Sequence, residues 1–294
     1  MLDGVIVVDK PEGWTSHDVV AKVRRIAATR KVGHLGTLDP IATGVLPLVI
    51  GRATRLAQFY TRSEKVYEGV VRFGWATDTY DRAGTPTTPK VEVELDAAEL
   101  ERHVERFRGE FLQTPPPVSA KKVEGRRAYE LARQAVTVEL EPAPVHVYEL
   151  TLVGVDGPDA RLHAHCSGGT YLRSIAHDLG RALGCGAHLQ ELRRTASGEF
   201  DLSQARTLEQ LESLAAGERL LDALVPAADL LPGFPPVFVD DGAVTEIRHG
   251  RNFPASAFRA QPAARHVKAL SRRGELVAIG EAVLPHVYHP VVVL

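Results

Sequence analysis

The stretch from Gly33 to Leu48, GHLGTLDPIATGVLPL, constrains this chain more than any other segment. It packs three glycines, two prolines, one histidine and one acid between basic, apolar-rich flanks. Glycine visits backbone angles that other residues avoid, and proline fixes one of them. A loop of this make-up can take an unusual shape and keep it. Asp39 is its only carboxylate, and Pro40 restricts the backbone of Asp39 to extended conformations. Two readings stay open on spacing alone. Asp39 is a single acid presented at a fixed angle, or it bonds backbone amides within a turn, as Asp often does. The spacing slightly favours the turn.

Around this loop the periodicities alternate between strand and helix. Gly4 to Val8 reads as a short buried strand, and Thr15 or Ser16 caps a helix with Val19, Val20, Val23, Ile26 and Ala27 on one face. Val45 to Ile50 is an apolar strand, and Arg52 to Arg62 reads as helical. From Val66 to Phe73 the pattern alternates, with Tyr67, Val71 and Phe73 on the apolar side and Glu68 and Arg72 opposite. Asp96 caps a helix that turns Leu100, Val104 and Phe107 inward, with Glu99 placed for a capping box. After the break at Pro115 to Pro117, a helix is expected over 126–134 and strands over 136–140, 145–155 and 160–166. Ser167-Gly168-Gly169 then turns into a helix bearing Ile175, Leu179 and Leu183, which is expected to start after Leu172. Strands separated by helices without a βαβ repeat predict an α+β fold, a mixed and largely antiparallel sheet with flanking helices. Prolines 226, 232, 235 and 236 mark a linker over 226–236 between a body at 1–225 and a small β-rich unit at 237–294.

Lys and Arg number 35 against 37 Asp and Glu, a formal net charge of −2, so any nucleic-acid partner must be met by local charge. Basic residues do cluster: Lys22, Arg24, Arg25, Arg30 and Lys31 lead into the Asp39 loop, and Arg52 and Arg55 follow it. Lys121, Lys122, Arg126 and Arg127 form a second group and Arg193 with Arg194 a third, while acids gather at Glu92 to Glu105 and Glu209 to Glu218. Any one cluster is more often a solvated face. Several of them beside one loop favour a basic groove. Cys166 and Cys185 form no CxxC pair and read as buried free thiols, so no metal site is expected. No apolar run approaches the roughly 20 residues that cross a bilayer, and the first residues lack a signal-peptide layout, which predicts a cytoplasmic protein without membrane contact. There is no GxGxxG after a strand, no P-loop and no HExxH, so no cofactor is expected.

Taken together, the Asp39 loop resembles the catalytic motif of the bacterial tRNA pseudouridine-55 synthases, the TruB family. Gly36, Asp39, Ala42, Gly44 and Leu46 fall where that family has them, and His34 where it has a histidine. The likeness extends through Asp9-Lys10-Pro11, Lys65-Val66-Tyr67, Gly169 to Ser174 and Leu192-Arg193-Arg194, in order and spacing as far as about Phe200. The resemblance implies isomerisation of a uridine in the T-loop of tRNA, with no cofactor, guide RNA or protein partner, by a protein expected to be a monomer. It implies Asp39 as the catalytic acid, Arg173 as its partner, Tyr67 stacked on the target base and assisting proton removal from C5, and Tyr171 and Leu192 lining the pocket. His34 would fill the place the flipped uridine leaves, though a bond within its own loop is as well supported by spacing. Lys10 would lie near the site, packing its stem or meeting phosphate. Asp78, in Thr77-Asp78-Thr79-Tyr80-Asp81, would organise the site or bind RNA. The segment at about 92–143 would be an RNA-binding insertion, and 237–294 an RNA-binding PUA-like domain.

Other classes compete. The catalytic subunit of a guide-RNA pseudouridylation complex shares the Asp loop, but Lys121 to Tyr129 resembles the bacterial enzymes. A non-catalytic RNA-folding protein would not need Asp39, Tyr67 and Arg173 together. A retaining glycosidase needs two carboxylates about 5 Å apart, and the sequence offers one convincing candidate.

Overall fold

A computed structural model describes residues 2–119, 140–255 and 264–294, with the backbone alone of 122–123 and 126–127. The chain begins with β1 (Gly4–Lys10), α1 (Ser16–Ile26), β2 (Val32–His34), β3 (Ala42–Ile50) and a 3-10 turn at Gly51–Tyr60. It continues through β4 (Lys65–Phe73), α2 (Ala97–Val104), β5 (Gly109–Gln113), the short β6 (Lys122–Val123) and β7 (Arg126–Arg127), then β8 (Ala143–Asp156) and β9 (Asp159–Cys166). Next come α3 (Leu172–Ala182), β10 (Ala187–Ser197), β11 (Phe200–Asp201), α4 (Leu208–Ala216) and β12 (Leu224–Pro226). The last unit holds β13 (Pro236–Phe238), α5 (Asp241–Arg248), β14 (Phe253–Pro254), β15 (His266–Leu270), β16 (Leu276–Leu284) and β17 (Val287–Val293).

The main sheet runs β12-β1-β3-β10-β4-β9-β8-β5. Along that path only β3 and β10 are parallel, with Leu192 opposite Ala42 and Arg194 opposite Gly44. This is the mixed, largely antiparallel α+β sheet that the sequence predicts. One face carries the larger core, where Val19, Val23, Leu46, Phe73, Leu150, Ile175 and Leu179 are all essentially unexposed. The other face, around β1 and β3, is covered by the 3-10 turn and the C-terminal unit, with Val5, Val7, Leu56, Ile279 and Leu294 in one cluster.

Several local expectations give way to packing. The segment after β3 is a 3-10 turn, since Gly51 leaves the strand at φ +66° and the buried Ala53 and Leu56 fall three apart, the spacing that coil eclipses. Arg126 and Arg127 pair with Val123 and Lys122 as strand backbone where a helix was expected to start, and the remainder of 128–139 lies outside the described residues. The proline-rich segment after 225 is fastened down along its length. Pro226 still pairs with Gly4, and Ala227, Leu230 and Leu231 are buried. The Lys268 ammonium donates to the carbonyls of Ala228 and Leu230, both at 2.9 Å. The amide of Leu231 donates to the Tyr60 hydroxyl and to Glu199.

Candidate active site

The Asp39 loop is held from beneath by buried cations and one serine. Arg194, 1% exposed, donates from Nε to the carbonyl of Val45 at 2.8 Å, and from its two Nη atoms to those of Thr37 (3.2 Å) and Gly36 (3.1 Å). Lys10, unexposed, gives its ammonium to the carbonyls of Pro11 (2.8 Å), Trp14 (2.7 Å) and Pro40 (3.4 Å). Those three acceptors match the three protons of an ammonium. Burial pulls the Lys10 pKa down to about 8 against the opposing pull of Asp39. Ser16 both accepts from the amide of Leu38 (2.8 Å) and donates to its carbonyl (3.1 Å), tying the first residue of α1 to the loop. Gly44 makes the exit into β3 workable. It sits at φ +98°, and a Cβ there would lie 2.2 Å from the Arg194 carbonyl.

This fixed loop presents the Asp39 carboxylate, one third exposed, to Arg173 in the first turn of α3. Arg173 Nη2 donates to Oδ1 at 3.2 Å, and Nε stands 2.9 Å from Oδ2 with its N–H off the line of a hydrogen bond. The same guanidinium gives Nη1 to the Thr79 carbonyl at 3.1 Å and lies 3.8 Å from the buried Asp81 carboxylate. A rigid fork meeting acceptors on both sides is the geometry at which arginine differs from lysine. The turn 77–81 is shaped from within: Thr77 and Thr79 hydroxyls donate to the Asp81 carbonyl and carboxylate, and Tyr80 holds φ +64°. The Tyr80 ring stacks on His177, one turn beyond Arg173 on α3, at 3.7 Å and 10°.

Tyr67, 8% exposed on β4, and Leu192, 9% exposed on β10, line the same cavity of about 520 Å³ as Asp39, Arg173 and Tyr171. Burial pushes the Tyr67 phenol up, with Arg194 opposing the shift, so its hydroxyl is a proton donor at neutral pH. Tyr171 is extended (φ −110°, ψ 108°) and α3 begins at Leu172, so Tyr171 and Arg173 both face the cavity. Gln113 clamps Tyr171 from β5, accepting from its amide at 2.8 Å and donating to its carbonyl at 3.1 Å.

Not every expected site residue reaches the cavity. Lys10 supports the loop from inside, where no phosphate meets it. Asp78 is exposed and accepts from the amide of Thr85 at 2.8 Å, while Asp81 is the member of that turn aimed at Arg173. His34 is half-buried on β2. Its Nδ1 accepts from the amide of Gly36 at 3.4 Å, and its ring meets His17 edge-on at 5.6 Å. His17, in the first turn of α1, is the histidine that lines the cavity. Much of the basic charge near the loop is used internally: Lys22 pairs with Glu212, Arg52 with Asp3 and Arg193 with Asp9.

Comparison with known proteins places the chain in a family. The model of the TruB family pseudouridylate synthase N-terminal domain matches residues 24–172, and that of the tRNA pseudouridylate synthase B C-terminal domain matches 173–231. The chain is 75% identical over 293 residues to tRNA pseudouridine synthase B of Solibacter usitatus, covering all of both chains. It is 44% identical over 264 residues to that of Thermobifida fusca, covering 87% of this chain and 88% of the relative. Among solved structures it resembles a chain of a Cbf5-Nop10-Gar1 complex at TM-score 0.72 and 29% identity, covering 97% of this chain and 80% of that one. With family models matching residues 24–172 and 173–231 and a relative 75% identical from end to end, the chain belongs to the TruB family of pseudouridylate synthases, which are isomerases.

Proposed function

We propose that the protein isomerises uridine 55 in the T-loop of tRNA to pseudouridine, acting alone on the RNA. The observation that supports this most directly is the Asp39–Arg173 fork facing Tyr67 across one cavity large enough for a nucleotide. Asp39 meets the sugar of a flipped nucleotide, and Arg173 holds its carboxylate in place. The carboxylate either bonds to C1′ or takes the C2′ proton. In both routes the N1–C1′ bond opens, the base turns over, and C5 bonds to C1′. Tyr67 supplies a flat face on which the base stays bound while it turns. Tyr171 and Leu192 close the cavity around it together with His17, whose ring packs edge-on against His34. The unit at 237–294 and the segment at about 92–143 widen the RNA contact.

The relatives named as tRNA pseudouridine synthases support tRNA as substrate. Likeness to a Cbf5 complex raises a second reading, catalysis inside a guide-RNA particle. Both are tested by incubating the protein alone with an unmodified tRNA T-arm and mapping pseudouridine. Modification at the single T-loop uridine is expected, and its absence in Asp39→Asn. Activity only after guide RNA is added would favour the second reading.

A further inference from the structure

Lys65 is the charged group of the cavity that the mechanism above leaves idle. It opens β4 two residues before Tyr67, so both side chains leave the same face of the strand. It lines the cavity and is 7% exposed. Its ammonium has three protons, and one goes to the carbonyl of Ser63. Among the described residues no carboxylate pairs with it. The charge acting most strongly on it is that of Arg194, of the same sign, whereas Lys10 feels Asp39. Burial brings the Lys65 pKa down to about 8, so the group stays charged at neutral pH. Gly36, at φ +146°, passes close by: a Cβ there would stand 3.7 Å from Lys65 Cε and 3.6 Å from Arg194 Nη1, ordinary contact distances. A buried cation with one neutral acceptor and a like-charged neighbour is under-compensated. At this end the cavity presents positive charge to whatever enters it.

We propose that the Lys65 ammonium binds a carbonyl oxygen of the target uracil and stabilises the negative charge on the base while it is detached from its sugar. The assignment rests on the proposed reaction. With the sugar at Asp39 and the base on the Tyr67 ring, the free edge of the base lies along β4 toward Lys65. Residues two apart on a strand are about 6.5–7 Å apart, a span that a pyrimidine ring and one hydrogen bond fill. Opening the N1–C1′ bond leaves its electron pair on the base, delocalised onto O2 and O4. The sugar is meanwhile either bonded to the Asp39 carboxylate or left as the glycal after loss of the C2′ proton. When C5 then bonds to C1′, the Asp39 carboxylate leaves C1′, or Asp39 returns the proton to C2′, so the negative charge passes from the base back to Asp39. The C5 proton then leaves and N1 gains one, with no net change of charge. A fixed cation beside the ring holds the anion through that interval.

The test is single-turnover pseudouridine formation on full-length unmodified tRNA by Lys65→Met and Lys65→Gln, with tRNA affinity measured alongside. Both variants are expected to bind within a few-fold of wild type and to slow by about 10²-fold, the usual cost of removing one preorganised donor to a developing oxyanion. With 5-fluorouridine at the target, the fluorine stabilises the departing base by itself, and the deficit of the variants in forming the rearranged product should shrink at least several-fold. An equal deficit on both substrates would overturn the proposal. So would a normal rate with a tRNA salt dependence lowered by about one phosphate contact, since Lys65 would then serve the backbone. If Lys65→Met does not fold, Lys65→Gln carries the same comparison. A wild-type protein that forms no pseudouridine in any tRNA overturns the parent reading and is seen before either variant is made.

Discussion

Arg173→Lys keeps the charge and removes the fork. In the native site one guanidinium spans two carboxylates on different loops, Asp39 at 2.9–3.2 Å and Asp81 at 3.8 Å, and also the Thr79 carbonyl. An ammonium is a point and cannot reach all three. If it follows Asp39, Asp81 loses its partner while only 8% exposed. At an effective dielectric constant of about 20, a charge pair at that separation is worth about 4 kcal/mol. Rehydration of the turn returns part of this, leaving an expected loss of about 2–3 kcal/mol. The Asp39 side contributes less, because its carboxylate is one third exposed and screened by water. Urea denaturation should therefore find Arg173→Lys destabilised by about 2–3 kcal/mol and Arg173→Met by no more than about 1–2 kcal/mol beyond that. Single-turnover assays should find both slowed by about 10²-fold or more, with tRNA affinity within a few-fold. A lysine variant with near-native rate and stability would refute the reasoning, leaving charge rather than geometry as the requirement.

Further expectations concern other members of the site. Tyr67→Phe should bind tRNA normally but lose most turnover, whereas Tyr67→Ala should lose stacking worth about 1–3 kcal/mol in affinity; normal turnover by the Phe variant would take the hydroxyl out of the chemistry. Tyr80→Phe keeps the ring stacked on His177 and should be near native, whereas Tyr80→Leu should lower the chemical rate with little change in tRNA affinity; equal rates for the two would separate the stack from the Arg173–Asp81 contact. Burial lowers the Lys65 pKa to about 8, so its ammonium is charged below that pH and neutral above it. The wild-type single-turnover rate should accordingly fall as pH rises through about 8, and Lys65→Arg, which stays charged, should flatten that fall; an unchanged pH profile in the Arg variant would exclude Lys65 as its source. Binding should weaken steeply with salt, and neutralising Arg126 with Arg127 should flatten the slope more than neutralising Arg102 in α2 with Arg106 just beyond its end; equal slopes would put the RNA groove elsewhere.

Asp39, Tyr67, Tyr171 and Arg173 are legible through the resemblance to a family, and local chemistry is only compatible with it. Glycines and a proline confine Asp39, though spacing favours a plain turn, strand alternation turns Tyr67 inward, and extended chain before the helix lets Tyr171 and Arg173 converge. The remaining parts depend on contacts between distant segments. Arg194 looked like half of a surface pair, yet the parallel register of β10 on β3 carries it under the Asp39 loop. The resemblance puts Lys10 near the site but leaves its role between packing and phosphate, because the three carbonyls that hold its ammonium come from turns that meet only in the fold. Asp78 and Asp81 have the same local make-up, and the left-handed Tyr80 with the Thr77 and Thr79 hydroxyls turns Asp81 toward Arg173 while Asp78 takes the amide of Thr85. Gln113 and His17 carry no sequence signal for the site; β5 and the start of α1 bring them to it. The 226–236 segment read as a linker from its prolines because the partners that bury it, Tyr60, Glu199 and Lys268, lie far away in the chain.

The dependence of the loop on Arg194 also sets a timetable. Gly36 and Thr37 emerge from the ribosome long before their partner, which follows 158 residues after Gly36. At about 5–20 residues per second, the loop waits roughly 10–30 s for the side chain that closes it. Over the same interval β3 and β4 have no β10 between them, so each exposes a bare apolar edge. A fragment ending near residue 172 would be held permanently at that stage. It should associate through those edges, and the N-terminal half should therefore be recovered in soluble form only when the later strand is supplied, in the same chain or as a separate peptide.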